Sequence, residues 1–136
     1  MPHPKAILET VLYVDDLDAA AAFYENVLQL VPIHSDDRMR VFGVSNENFL
    51  LLFRSGETGS AIDLPGGTIP PHDGRGRMHV AFSVGKDEVS SWRDHLRARG
   101  VGIESEVQWP NGQTSLYLRD PAGNLAEIAT SGLWDR

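Results

Sequence analysis

The sequence contains no cysteine, no long hydrophobic run and no excess of basic residues. Without cysteine, the 136-residue chain can form no disulfide, thiolate nucleophile or thiolate metal site, as is common in cytoplasmic proteins. No apolar stretch approaches the roughly 20 residues of a membrane-spanning helix, and the N-terminus lacks the pattern of a signal peptide. A net charge of −7 disfavours binding to nucleic acid or to an acidic membrane by charge alone. We therefore expect a cytoplasmic protein with neither of these partners.

Two halves of the chain repeat one order of predicted elements. An alternating strand is followed in each half by a helix and then by about three strands. Asp16 is a predicted N-cap for the first helix, which Pro32 is expected to end. Sliding the sequence by 70 residues places Glu9 on His79 and Val14 on Val84, which indicates an internal repeat. The predicted strands are 6–14, 39–44, 49–53, 78–84, 101–107, 115–119 and 125–129, and the predicted helices are 17–30 and 86–99.

The segment between the halves, residues 55–77, is rich in glycine and proline and shows no periodicity. Such a segment is typical of a linker or of a flexible lid. We therefore predict a single domain over residues 1–136. It would contain a first module at about 5–54, this linker or lid, and a second module at about 78–131.

Alternation gives the predicted strands one apolar face and one mixed face. The apolar faces should lie beneath the helices, and they carry Leu8, Leu12, Val14, Val80, Phe82, Val84, Leu116, Leu118, Ala126 and Ile128. The opposite faces carry the polar residues Glu9, Tyr13, His79, Ser83, Ser115, Tyr117, Arg119 and Glu127. Apolar side chains share these faces, a mixture that suits an apolar cavity with a few converging polar groups. Two carboxylates and an imidazole in such a cavity need compensation, which a divalent cation provides.

Three segments together resemble the vicinal oxygen chelate superfamily: ETVLYVDDLDAAAAFYENVL (9–28), HVAFSV (79–84) and YLRDPAGNLAEI (117–128). This superfamily includes glyoxalase I, fosfomycin-resistance proteins, extradiol dioxygenases, methylmalonyl-CoA epimerase and bleomycin-resistance proteins. The resemblance extends from about Ala6 to Thr130. It implies an α+β, glyoxalase-like fold of two βαβββ modules, in which mixed sheets form a cup and the helices lie on the outer face.

The same resemblance implies a divalent metal ion held by Glu9, His79 and Glu127, which the face pattern selects independently. One imidazole and two carboxylates suit Mn²⁺, Fe²⁺, Ni²⁺, Zn²⁺ or Mg²⁺, and the ligand types do not choose among them. In many family members of this size, modules of two subunits pair. A homodimer with the site at or near the subunit interface is therefore expected.

The sequence also departs from the relatives that it resembles. Extradiol dioxygenases and fosfomycin thiol-transferases use two histidines and one glutamate, whereas the first ligand position here is Glu9. Leu51 aligns with Glu127, so that the fourth ligand of glyoxalase I is missing. Bleomycin-binding members lack the metal triad that is predicted here. No single named activity of the family fits all of these features.

Each candidate ligand has a structural alternative. Glu127 could be a surface residue of an edge strand, and His79 a hydrogen-bonded core histidine. Glu9 could stay exposed or pair with Arg119. Arg119 itself could bind a carboxylate or phosphate of a substrate, or form a salt bridge with Glu9, Glu127 or Asp120.

Four further side chains have two interpretations each. Tyr117 could give a proton or hydrogen bond to a substrate oxygen, as could Tyr13, or either could serve aromatic packing. Trp109 could stack on a flat ligand or cover the cavity mouth. His72 is better interpreted as a mobile, solvated histidine than as a lid residue.

Two functional hypotheses follow. The first is a metal-dependent enzyme acting on a small substrate that chelates the metal through two neighbouring oxygens, with Glu9, Glu127, Arg119 and Tyr117 as catalytic candidates. Lyase, isomerase, thiol-transferase and dioxygenase reactions are all open to it. The second is a non-catalytic dimeric protein that sequesters a drug or antibiotic, for which acidity and aromatic residues would suit a cationic molecule.

Overall fold

A computed structural model describes residues 1–135, which divide into two compact units, Met1–Gly76 and a second that begins at Arg77. The first unit contains six strands and one helix. In chain order they are β1 (Glu9–Val14), α1 (Leu17–Asn26), β2 (Val31–Ser35), β3 (Met39–Ser45), β4 (Asn48–Arg54), β5 (Ile62–Leu64) and β6 (Gly67–Ile69).

The second unit repeats the order of the first five of these elements. Its elements are β7 (His79–Val84), a 3₁₀ turn (Lys86–Glu88), α2 (Val89–Ala98), β8 (Ser105–Gln108), β9 (Thr114–Arg119) and β10 (Leu125–Thr130). No helix in residues 1–135 has the length and apolar character needed to cross a membrane.

Each unit builds one mixed four-stranded sheet. The strand orders are β1-β4-β3-β2 and β7-β10-β9-β8. In both sheets the first and last strands of the module pair in parallel, and the other neighbours are antiparallel. The predicted α+β architecture of two βαβββ modules is confirmed, including the β2 strand that the pattern left unassigned.

Helix α1 begins as predicted but ends earlier. The Asp16 carboxylate accepts a hydrogen bond of 3.0 Å from the Ala19 amide, which caps the first turn. The helix ends at Asn26, and Gln29 then takes the left-handed conformation with φ 57°. Pro32 therefore does not terminate the helix, since it lies inside the strand β2 that follows.

The apolar faces of both sheets are buried, as alternation predicts. Leu12, Leu50 and Leu52 are fully covered in the first unit, where α1 packs on β3 and β4. Leu116, Leu118, Ala126 and Ile128 are equally buried in the second. Leu8 is an error of the prediction, because β1 starts only at Glu9 and the Leu8 side chain is exposed.

The segment between the modules is ordered by its own contacts. It contains the hairpin of β5 and β6, and residues 72–74 form hydrogen bonds with Tyr13, Ser55 and Gly56. There the Tyr13 hydroxyl lies 2.6 Å from His72 Nδ1, and the backbone and side chain of Thr58 bond the His72 backbone. His72 is thus a packed residue of the first unit, and its interpretation as a mobile, solvated histidine was wrong.

Candidate active site

One face of the second sheet collects most of the predicted polar residues. We call it the polar face, and it consists of His79, Ala81, Ser83, Ser115, Tyr117, Arg119, Leu125, Glu127 and Ala129. The register pairs Leu125 with His79 across the parallel strands and Glu127 with Tyr117 across the antiparallel ones. Because side chains alternate along a strand, these residues project to the same side, as the sequence predicted.

The turn before β10 sets how β7 and β10 meet. Asn124 is fully buried, and its Oδ1 accepts a hydrogen bond of 2.8 Å from the amide of Met78, next to His79. Its Nδ2 donates to Asp120 Oδ2 at 3.0 Å, while Asp120 Oδ1 accepts from the amides of Ala122 and Asn124. The RDPAGN segment therefore works as a structural clamp that joins the starts of the two strands.

His79 and Glu127 are brought together on this face. His79 Nε2 lies 3.1 Å from Glu127 Oε1, and the glutamate side chain is only 7% exposed, against 50% for the histidine. His79 Nδ1 lies 2.9 Å from the carbonyl oxygen of Leu125. Since a carbonyl oxygen can only accept, Nδ1 carries the proton in this arrangement, and Nε2 is the nitrogen that faces the carboxylate.

The second oxygen of Glu127 is held from the other side. Ser115 Oγ donates to Glu127 Oε2 at 2.6 Å, and Trp109 Nε1 donates to Ser115 Oγ at 2.9 Å. Ser115 is completely buried. Alternation places Ser115 on the polar face. Its hydrogen bond to Glu127, however, depends on the register of β9 and β10, which alternation alone does not give.

A cleft of about 630 Å³ opens in front of these groups. Its lining includes the polar residues His79, Tyr117 and Glu127 together with the tryptophans Trp109 and Trp134. The rings of His79 and Tyr117 lie 6.5 Å apart, centre to centre. An apolar, aromatic cleft with a few polar groups at one place is the usual form of a small-molecule site.

Arg119 has a different partner from those considered in the sequence. Its guanidinium forms two hydrogen bonds of 3.1 Å with the carboxylate of Glu104 and a third with the carbonyl of Gly123. The Arg119 hydrogen bonds are the main reason why the pKa of Glu104 is lowered. A salt bridge was one of the two interpretations of Arg119, and the structure has one with Glu104, which comes beside Arg119 when the residues before β8 pair with Tyr117.

Glu9 belongs to the first unit. It is the first residue of β1, it is exposed, and it pairs in register with Phe49. Tyr13 lies on the same face four residues further on, and burial, followed by the nearby Asp73 carboxylate, raises the pKa of its phenol. The Tyr13 phenol therefore stays protonated at neutral pH, and its hydroxyl shares a hydrogen bond with His72 Nδ1 whose direction is set by the tautomer of the ring.

The donor pair in the second unit fits a divalent cation. An imidazole nitrogen and a carboxylate oxygen, here 3.1 Å apart as Nε2 and Oε1, are donors that such ions accept. The proton on Nδ1, fixed by a backbone carbonyl, is the outer contact that metal-bound histidines commonly have. Within either unit, no group of three or more His, Asp or Glu side chains meets among residues 1–135. The complete triad with Glu9 therefore stays a prediction.

Fold and site together define a two-module protein of the glyoxalase type, in which a His–Glu pair faces an aromatic cleft. The profile of the Glyoxalase/Bleomycin resistance protein/Dioxygenase superfamily matches residues 6–128. The chain belongs to this superfamily, and the resemblance seen in the sequence is confirmed.

Individual relatives extend this comparison. The crystal structure of lactoylglutathione lyase from Agrobacterium tumefaciens is 39% identical, with a TM-score of 0.87 and 98% of each chain covered. The metallothiol transferase FosB of Shouchella clausii (strain KSM-K16) is 25% identical over 125 residues, covering 90% of this chain and 78% of the relative. The fosfomycin resistance protein FosX of Listeria monocytogenes shares the fold at 20% identity, with a TM-score of 0.69 over 96% of this chain and 97% of the other.

Proposed function

We propose that this protein is a divalent-metal-dependent enzyme whose small substrate chelates the ion through two neighbouring oxygens. The observation that carries the proposal is the 3.1 Å contact between His79 Nε2 and Glu127 Oε1 at the cleft. Glu9 would complete the ligand set from a first module, at or near the interface of a homodimer. The names of two relatives, lactoylglutathione lyase and metallothiol transferase, make lyase and thiol-transfer reactions the first to assay.

In this proposal the bound cation and the residues of the cleft have different roles. When bound, the cation supplies Lewis-acid stabilisation of negative charge on a substrate oxygen. The chain's own residues hold the ligands in place and shape the substrate's surroundings. Leu125 and Ser115 orient the two ligand side chains, and Tyr117 offers a phenol that can donate a hydrogen bond to a substrate oxygen. The indole of Trp109, which lines the cleft, offers an aromatic surface to the substrate.

Arg119 is assigned a smaller part in this proposal than the sequence allowed. Both sides of its guanidinium are engaged, by Glu104 and by the carbonyl of Gly123. Recognition of a substrate anion by Arg119 would require this bidentate pair to open. The contacts favour a structural role, in which Arg119 anchors the residues before β8 to β9.

Metal binding tests the proposal directly. Protein stripped with a chelator is titrated with Mn²⁺, Fe²⁺, Ni²⁺, Zn²⁺ or Mg²⁺ in a calorimeter, and its unfolding is followed in parallel. A cation present at 100 times its Kd should stabilise the fold by about 2.7 kcal/mol. We expect His79→Ala, Glu127→Gln and Glu9→Gln each to weaken the affinity of the best-bound ion.

The chain offers a matched control. His34 Nε2 and Asp36 Oδ2 form another His–carboxylate contact, 2.8 Å long, but on an exposed surface. His34→Ala should leave the metal affinity unchanged. The proposal is wrong if no cation binds to the unmodified protein, or if His34→Ala weakens binding as much as His79→Ala does.

A sequestering function is the second candidate, favoured by the two tryptophans of the cleft and by the net charge of −7. Aromatic faces bind flat or cationic molecules without a metal. A drug that binds the chelator-treated protein as tightly as the metal-loaded protein, together with no turnover, would favour this function over the enzyme.

A further inference from the structure

We infer that Ser115 and Trp109 are positioning residues of the proposed metal site, which hold Glu127 so that it binds the cation through Oε1 alone. This inference rests on the proposed function. It follows from the direction of two hydrogen bonds, from Trp109 to Ser115 and from Ser115 to Glu127.

The direction of these bonds is fixed by the chemistry of the three groups. An indole nitrogen can only donate, so Ser115 Oγ accepts from Trp109 Nε1. The single hydroxyl proton of Ser115 is then free to be given to Glu127 Oε2, and the 2.6 Å distance is that of a short, charge-assisted bond. The chain therefore runs one way, from the indole through the hydroxyl to the carboxylate.

Burial makes this chain rigid. Ser115 is fully buried, and Glu127 is nearly so, which leaves little water to replace either bond. Hydrogen bonds in series polarise one another, most strongly where the local dielectric is low. Removing the indole donor should therefore weaken the bond between Ser115 and Glu127, although the indole donates to Ser115 and not to the carboxylate.

The consequence concerns how Glu127 presents its two oxygens. Oε2 is directed to Ser115, while Oε1 lies 3.1 Å from His79 Nε2. A carboxylate free to rotate would offer both oxygens to a cation. The Ser115 bond leaves Oε1 as the oxygen beside the histidine, and it sets the position of that oxygen. Trp109 also lines the cleft, so a ligand that displaces the indole would disturb the same carboxylate.

Calorimetric titration with Zn²⁺ or Ni²⁺ tests this inference on four single variants. Ser115→Ala should weaken the affinity by about 10- to 100-fold, the usual effect of removing a group that orients a metal ligand. Trp109→Phe keeps an aromatic ring but loses the donor, and should weaken it less. Thr114→Val removes the neighbouring hydroxyl of β9, which bonds Gln108 instead. Thr114→Val and the second control, Trp92→Phe on α2, should each leave the metal affinity unchanged.

A double variant and a spectrum separate positioning from a general loss of structure. In the Ser115→Ala background, Trp109→Phe should cause no further loss of affinity, since its effect passes through the hydroxyl. X-ray absorption of the bound ion should show an additional oxygen ligand in Ser115→Ala, as the freed carboxylate turns to use both atoms. Additive losses, or an unchanged coordination number, would contradict the inference.

The two hypotheses fail in different ways. If the unmodified protein binds no cation, the proposed function is wrong, and the positioning role falls with it. If His79→Ala abolishes binding but Ser115→Ala binds as the unmodified protein does, only the positioning role is wrong. Should Ser115→Ala not fold, Trp109→Phe decides alone: a reduced affinity supports the inference, and an unchanged one refutes it.

Discussion

Replacing Gly74 with alanine should destabilise the first unit, because the residue lies against the ring of Tyr13. A Cβ at position 74 would be 2.5 Å from Tyr13 Cδ2 and 2.8 Å from Cε2, distances that Cβ atoms essentially never show. The ring cannot easily yield. It stacks on Phe53, with ring centres 6.4 Å apart, and its hydroxyl is bonded to His72 Nδ1. Either the ring or residues 71–75 must move.

The magnitude follows from these two contacts. Overpacking of this kind costs about 1–3 kcal/mol, and loss of the hydrogen bond between Tyr13 and His72 would add about 0.5–1.5 kcal/mol. We expect the free energy of unfolding to fall by about 1.5–4.5 kcal/mol in total. Gly66 is the matched control, since a Cβ there meets no atom within 4 Å and its φ is not left-handed. Gly66→Ala should be neutral or stabilise by up to about 1 kcal/mol.

Urea denaturation of both variants measures the difference, and a double variant identifies its cause. In a Tyr13→Ala background the ring is gone, so Gly74→Ala should cost little beyond the loss already caused by Tyr13→Ala. A Gly74→Ala protein as stable as Gly66→Ala would refute the contact. So would an equal cost of Gly74→Ala with and without Tyr13, because the clash would then lie elsewhere.

Two further predictions concern carboxylates. Asn124→Asp places a second carboxylate against Asp120 in a buried turn. Asn124→Asp should lower the free energy of unfolding by about 2–4 kcal/mol at pH 7. The loss should be smaller at pH 5, where one of the two carboxyls can take up a proton. Equal losses at both pH values in urea denaturation would contradict this. The hydrogen bond with His34, and then those from the amides of Arg38 and Met39, lower the pKa of Asp36 from 3.8 to about 2. The stability that Asp36 adds is therefore present above pH 3.8 and lost as the pH falls through about 2. Asp36→Asn should be less stable at pH 6 by under about 1 kcal/mol, because the group is half exposed, and acid unfolding curves that stay apart at pH 2 would disprove the assignment.

Alternation was enough to find the polar face, because a strand has a period of two and the sheet keeps that period through its neighbours. It therefore placed His79, Ser115, Tyr117 and Glu127 on one side without any knowledge of contacts. The Asp16 cap could also be predicted, because a helix cap depends only on residues that are neighbours in the chain. The predicted burial of Leu8 was wrong because the alternating pattern starts before Glu9, where the hydrogen-bonded strand β1 begins.

The errors lie where a contact depends on register or on a distant segment. The carboxylate that pairs with Arg119 was missed because Glu104 stands 15 residues away and is brought near only by the pairing of β8 with β9. His72 was missed because the segment around it has no period of its own. Its position is set by Tyr13, 59 residues earlier, and by the backbone and side chain of Thr58.

Within the family segment YLRDPAGNLAEI, the turn residues Asp120 and Asn124 are explained by structure, whereas Glu127 is the proposed ligand. Asp120 and Asn124 form hydrogen bonds within the turn and with the amide of Met78, which precedes His79. These bonds fix where β7 and β10 begin, and thereby how His79 lies against Glu127. The segment is therefore informative about fold and ligand placement but silent about substrate. Discrimination must come from the residues that shape the cleft, Trp109, Tyr117 and Trp134 among them, and from the carboxylate at position 9.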